Sequence, residues 1–201
     1  MSEIDRLGKL IVKSVLAKHQ LLKKFQTLAG KPVPMALNAL LKKNFIPTGT
    51  VLAERAIVIA AGGFNTNIHF GEDLELWAKI AGDHPITCLP NVMMQRRQHG
   101  NNATQSTARM LEGLVEVMRS LECWGADKLT KQNTNPNQLV ANALCDLAYW
   151  HFVHCDYKQA REIFTSSLKS QLNKRALAYA AICLLPGRLI KRLKILKQCA
   201  K

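Results

Sequence analysis

The chain has 201 residues, 48% of them hydrophobic and 21% charged, with a net charge of +14. That length suits one domain or two small ones, and the hydrophobic share supports a packed core, which excludes wholesale disorder. No apolar run reaches the roughly 20 residues that a spanning helix needs. Lys and Glu interrupt the N-terminus throughout, so it does not read as a signal peptide. A cytoplasmic protein is expected, with a peripheral place at the inner membrane face open to it.

The charge is unevenly spread. Residues 1–43 hold nine basic and two acidic side chains, a net of +7. Residues 44–157 hold eight and eleven, a net of −3, and residues 158–201 hold eleven and one, a net of +10. Basic ends suit anionic lipid or an acidic partner. Nucleic acid is not expected, because no binding motif accompanies the charge and aromatic residues make up only 6%.

Taken in chain order, Ile4, Leu7, Ile11, Val15 and Leu22 recur at helical spacing and predict one helix over 3–29, stopped by Gly30. A short helix follows over 35–43. Thr48 to Leu52, with β-branched Thr50 and Val51, predicts a strand after Pro47. Arg55 to Ala61 predicts a helix closed by Gly62-Gly63, and Asp73 to Ala81 another, with Leu74, Trp77 and Ile80 on one side. Ile86 to Leu89 and Val92 to Arg97 predict two strands around Pro90-Asn91.

From Ser106 onward the pattern is helical, with helices over 106–123, 137–154, 157–171, 173–184 and 186–198 and starts at Pro136, Asp156 and Pro186. Within it, Ala141, Leu144, Ala148 and Tyr149 face Tyr157, Ala160, Ile163, Phe164 and Leu168. That pair resembles a single tetratricopeptide-type hairpin, although an array needs about three repeats.

The fold class is thus mixed α/β and predominantly helical. The parts are N-terminal basic helices over 1–43, a block of short strands and helices over 44–105, and a helical tail over 106–201.

The six cysteines lie at 88, 123, 145, 155, 183 and 199, without a C-x-x-C pair, and read as reduced and mostly buried. His151, His154 and Cys155 invite a metal reading, but no further ligand stands at a recognised spacing, so a satisfied or surface pair is expected.

The middle block holds the chemistry. Gly62-Gly63 before Phe64 reads as a helix stop, or as backbone leaving room for a ligand. Glu72-Asp73 at a helix start reads as a cap favoured by the dipole, or as a general base. Trp77 either packs in the core or floors a sugar site. Arg96, Arg97 and His99 end the last strand as a solvated edge, or as a cationic or metal-binding group for a diphosphate.

Their order matches a family. The second half of GT-A glycosyltransferases shows N-x-I-x-T-x-x-V-x-x-R, then G-G-F, then E-D-x-x-L-W-x-R, then a strand ending in Y-R-x-H. The counterparts here are Asn44, Ile46, Thr48, Val51 and Arg55; Gly62, Gly63 and Phe64; Glu72, Asp73, Leu76, Trp77 and Lys79; and Arg97 with His99. Over residues 44–105 the chain resembles family 2 of these enzymes. Asn65 stands where Asp is usual, Lys79 replaces Arg and loses its bidentate fork, and Gln95 or Arg96 stands where an aromatic residue precedes the Arg. The family's nucleotide-binding half and its D-x-D are missing, since Asp5 is the sole Asp before Asp73.

The resemblance implies sugar transfer, with inversion, from a nucleotide-diphosphate sugar to a hydroxyl of a glycan or lipid-linked acceptor, in the synthesis of cell-surface polysaccharide or glycan. It implies Asp73 as base with Glu72 beside it, and Gly62, Gly63, Phe64 and Trp77 on the acceptor side. Arg97 would meet phosphate, His99 the diphosphate or metal, and the cofactor would be Mn²⁺ or Mg²⁺. The chain reads as the part downstream of the D-x-D, with little or no transferase activity expected of it alone.

Two other readings stand beside this one. Residues 106–201 would serve as a non-enzymatic helical interaction module. Alternatively Arg188, Lys191, Arg192, Lys194 and Lys197, interleaved with Leu189, Ile190, Leu193, Ile195 and Leu196, would lie on an anionic membrane.

Overall fold

The first thirty residues do not form the helix that their apolar spacing predicts. In the computed structural model, which describes residues 1–99, 108–187 and 189–190, Ser2–Ile4 is a strand (β1) and Leu10–Val12 another (β2). Asp5 makes the reversal. Its carboxylate accepts from the backbone N–H of Leu7 (2.9 Å) and of Lys9 (2.8 Å), and Gly8 takes φ +87°. Two short helices follow, Val15–Lys18 (α1), capped by the Ser14 hydroxyl, and Leu22–Leu28 (α2), with Gln20 at φ 61° between them. The helical register fails because Leu7 and Ile11 point to solvent while Ile4, Leu16 and Phe25 are buried. Gly30 does mark the end of α2.

The chain divides into two units, Met1–Gln105 with Asp127–Asn133, and Ser106–Ala126 with Thr134–Lys201. Residues 1–43 thus share a unit with the block that follows. Among the described residues the architecture is mixed α/β and mostly helical, with one three-stranded sheet of order β2-β1-β3. Strand β3 is Gln95–Arg97 and runs parallel to β1, so Glu3 lies opposite Arg96.

Glu3 is 2% exposed and ties the sheet together. It pairs with Arg96, accepts from the Gln98 amide at 2.8 Å and lies 3.6 Å from the Lys18 ammonium. Burial alone would raise its carboxyl, but the Arg96 hydrogen bond and charge, with Lys18 and Gln98, hold it below the usual 4.5.

Helix α3, Ala36–Lys42, forms where expected. The predicted strand over Thr48–Leu52 is instead a 3₁₀ turn at Thr48–Thr50, because the Thr50 N–H and hydroxyl both return to the Pro47 carbonyl at 2.9 Å. Helix α4, Arg55–Ala60, forms as expected, and α5, Glu72–Asp83, outruns its predicted bounds. No strand forms over 86–89, where one bond from Val33 N–H to the Ile86 carbonyl (2.8 Å) is made, and of residues 92–97 only β3 is extended.

The core of this unit gathers Phe25, Leu37, Leu40, Leu76, Ala78 and Leu129. Leu129 comes from the helical stretch Ala108–Lys131 (α6), which breaks at Gly125, close to the division between the units. Gln132 fastens this return segment: its side chain accepts from Leu37 N–H at 3.1 Å.

The second unit is helical. Pro136–Val153 (α7), Tyr157–Ser170 (α8) and Lys174–Ile182 (α9) start at side-chain caps from Asn135, Asp156 and Asn173. α7 and α8 pack as a hairpin around Cys145, Ala148, Phe152, Ala160 and Phe164, with Tyr149, Tyr157, Ile163 and Leu168 against that core. The small Ala148 and Ala160 are fully buried, and the buried Ser167 hydroxyl donates to the Ala141 carbonyl at 2.7 Å. The predicted helix over 186–198 lies almost wholly outside the described residues.

Five of the six cysteines lie among the described residues. Cys145 and Cys183 are buried, but Cys123 and Cys155 are exposed, which corrects the expectation of mostly buried thiols. Cys199 lies outside the described residues.

Two outcomes test these contacts. The folded Glu3 carboxyl sits below its unfolded value, so its stabilisation holds above pH about 4.5 and fades as pH falls through the folded value. Glu3→Gln is expected to cost about 2–3 kcal/mol at pH 7 in urea unfolding, with the gap to wild type closing in acid. Ser167→Ala is expected to cost about 1–2 kcal/mol in the same measurement.

Candidate functional site

The residues singled out by sequence collect around the first turn of α5. Gly71 precedes that turn at φ 89° and supplies no side-chain cap, so neither Glu72 nor Asp73 is the N-cap. Glu72, Asp73 and Glu75 all fall in the first turn, where the helix dipole favours negative charge. The Asp73 carboxylate turns to the 3₁₀ turn. Its Oδ2 accepts from the Thr48 hydroxyl at 2.7 Å, and its Oδ1 accepts from the Leu74 N–H at 2.6 Å. Thr48 belonged to the sequence pattern, but its bond to Asp73 was not foreseen, since 25 residues separate them.

Phe64 and Trp77 also meet. Their ring centroids lie 5.9 Å apart at 80°, edge to face. Trp77 is 7% exposed and Phe64 47%. Gly62 and Gly63 end α4 with φ +91° and +67°, their N–H groups returning to the Ile59 and Val58 carbonyls. A Cβ on either glycine would meet nothing within 4 Å, so backbone conformation and not crowding requires them.

Lys79, in the position of the family's Arg, pairs with the fully buried Glu75 at 2.6 Å. Sequence reasoning missed Glu75, although the Glu–Lys spacing of four on a helix was its signal. The Arg97 guanidinium donates to the carbonyls of Asp5 (3.1 Å) and Arg6 (3.0 Å) and so holds the β1–β2 turn. Arg96 is committed to Glu3, and His99 is exposed.

Among the described residues no group of three or more His, Cys, Asp or Glu is placed to hold a metal ion. In the second unit, His154 stacks on Trp150 with centroids 3.8 Å apart, its Nδ1 lies 2.8 Å from the Trp150 carbonyl, and His151 lies 3.4 Å from Asp156.

At the other end of α5 an open cleft of about 350 Å³ is lined by Pro32, Val33, Met35, Asp83, His84 and Gln132. Two of its polar groups are engaged: Lys128 bonds both Asp83 oxygens at 2.6 and 2.7 Å, and Gln132 bonds Leu37. Among the described residues no helix is long and apolar enough to cross a membrane.

Comparison of the chain with protein-family models, with curated proteins and with solved structures gives no match.

Replacing Gly63 tests the backbone argument. Gly63→Ala is expected to cost about 1 kcal/mol in urea unfolding despite the open space around it, because an L side chain is strained at positive φ.

Proposed function

We propose that the first unit carries the acceptor and base side of a family 2, GT-A type glycosyltransferase site, acting in sugar transfer from a nucleotide-diphosphate sugar to a hydroxyl. The observation that supports this reading is the Thr48–Asp73 hydrogen bond of 2.7 Å, which joins two of the four sequence segments that carry the resemblance. The Phe64–Trp77 contact joins the second segment to the third.

In this reading the acceptor hydroxyl forms its new bond to the anomeric carbon while its proton passes to the Asp73 carboxylate, and the nucleotide diphosphate leaves from the opposite face. Thr48 donates to one Asp73 oxygen and fixes how the carboxylate is presented. Trp77 offers aromatic surface to the acceptor, with Phe64 standing against it. Arg97 is bound to carbonyls of the β1–β2 turn, so its proposed contact with phosphate would be made alongside those bonds.

Two measurements test the proposal. The chain alone is expected to show no micromolar heat signal with nucleotide-diphosphate sugars and Mn²⁺, and to bind free or lipid-linked oligosaccharides on an array. A folded chain that captures no oligosaccharide overturns the acceptor-side reading. In any preparation that transfers sugar, Asp73→Asn is expected to lower kcat at least about 100-fold. Near-normal turnover would remove Asp73 as the base.

A second reading, the helical interaction module, is favoured by Leu172, Leu177 and Leu184, which are 68%, 53% and 70% exposed on the second unit. It is distinguished by capture of a protein partner that added oligosaccharide does not compete away.

A further inference from the structure

We infer that Phe64 is a gate over a pyranose-binding surface on Trp77, and that the buried Trp77 indole N–H is the donor that a sugar oxygen takes when the gate swings out. The sugar chemistry rests on the acceptor-side reading above.

The indole Nε1 of Trp77 is buried and has no hydrogen-bond partner among the described residues. A buried indole N–H ordinarily finds an acceptor, and one left without it is unfavourable until some oxygen arrives. The Phe64 ring meets this indole in a T-shaped contact at 5.9 Å and is itself 47% exposed, so about half of its surface already faces solvent before it moves. It follows Gly62 and Gly63, both at positive φ with open space where a Cβ would stand. That pair lets the backbone turn without a clash, as hinge positions must. Asp73 precedes Trp77 by four residues on α5, which places both on one side of the helix.

The ligand that suits these groups has an apolar face and oxygen acceptors together. A pyranose has both, with axial C–H bonds for the ring and hydroxyl or ring oxygens for the N–H. A hydrocarbon lacks the acceptor, and a simple anion lacks the face.

The test is nitrogen-15 NMR of the Trp77 indole N–H, assigned by its loss in Trp77→Phe. The probes are the methyl glycosides of glucose, galactose, mannose and N-acetylglucosamine. At least one is expected to move the Trp77 signal in a saturable way. Phe64→Ala is expected to speed exchange of that N–H with water at least about ten-fold, and to tighten the same glycoside at least about three-fold, because the closed state no longer competes. Phe64→Leu carries the same comparison with a smaller change should the alanine variant fold poorly.

A Trp77 signal that none of the glycosides moves, in wild type or in the Phe64 variants, overturns the proposal. So does an exchange rate that the Phe64 variants leave unchanged. Oligosaccharide capture with a stationary Trp77 signal overturns the gate and leaves the acceptor-side reading standing. A moving signal beside normal turnover in Asp73→Asn supports the gate and removes the base.

Discussion

The Glu3 carboxylate is the constraint on which the first unit depends. It is almost wholly buried in the central strand, and three donors reach it: Arg96 from β3, Gln98 just beyond β3, and Lys18 from α1. A charge so buried is tolerable only with its partners in place, since losing one leaves desolvation uncompensated. Its bonds therefore fix β1 against β3 and draw α1 to the sheet. Arg97, next to Arg96 on the same strand, closes the far side by holding the Asp5 and Arg6 carbonyls.

Around α5 the same economy recurs. One turn carries a carboxylate buried with Lys79 and another turned outward to Thr48. Glu75 anchors the helix while Asp73, two residues earlier, stays within reach of a loop. Two acids close in sequence thus have unlike surroundings, and this separates a packing role from a chemical one. The proposed transfer chemistry needs such a division, because a base must be presented by a helix that does not itself move.

Sequence made some of this legible and hid the rest for physical reasons. Helices α3, α4, α5, α7 and α8 were visible because their signals are local: a 3.6-residue apolar period, the starts at Pro136 and Asp156, and the Gly62-Gly63 stop. The N-terminal segment misled because Ile4, Leu7 and Ile11 mimic that period, while the Asp5 side chain and Gly8 turn the chain back. Thr50 and Val51 looked like a strand through β-branching, which the Pro47 carbonyl overrides by gathering the Thr50 donors. At the site, the resemblance brought Asp73, Phe64 and Trp77 forward. Local reasoning could neither pair Thr48 with Asp73 nor show that the β1–β2 turn engages Arg97.

The discontinuity of the first unit has a consequence for synthesis. Strand β1 is made some ninety residues before its parallel partner β3, which begins at Gln95, and the Leu37 N–H waits for Gln132. During translation the apolar faces of α2 and α3 precede Leu129 by some hundred residues. Closing contacts over such separations is slow compared with forming a helix, and the unfinished sheet offers unpaired backbone in the meantime. The hairpin of α7 and α8 faces no such delay, since its partners are neighbours in the chain. On the ribosome the second unit therefore has the shorter search, and the first unit has the greater need of protection by a chaperone.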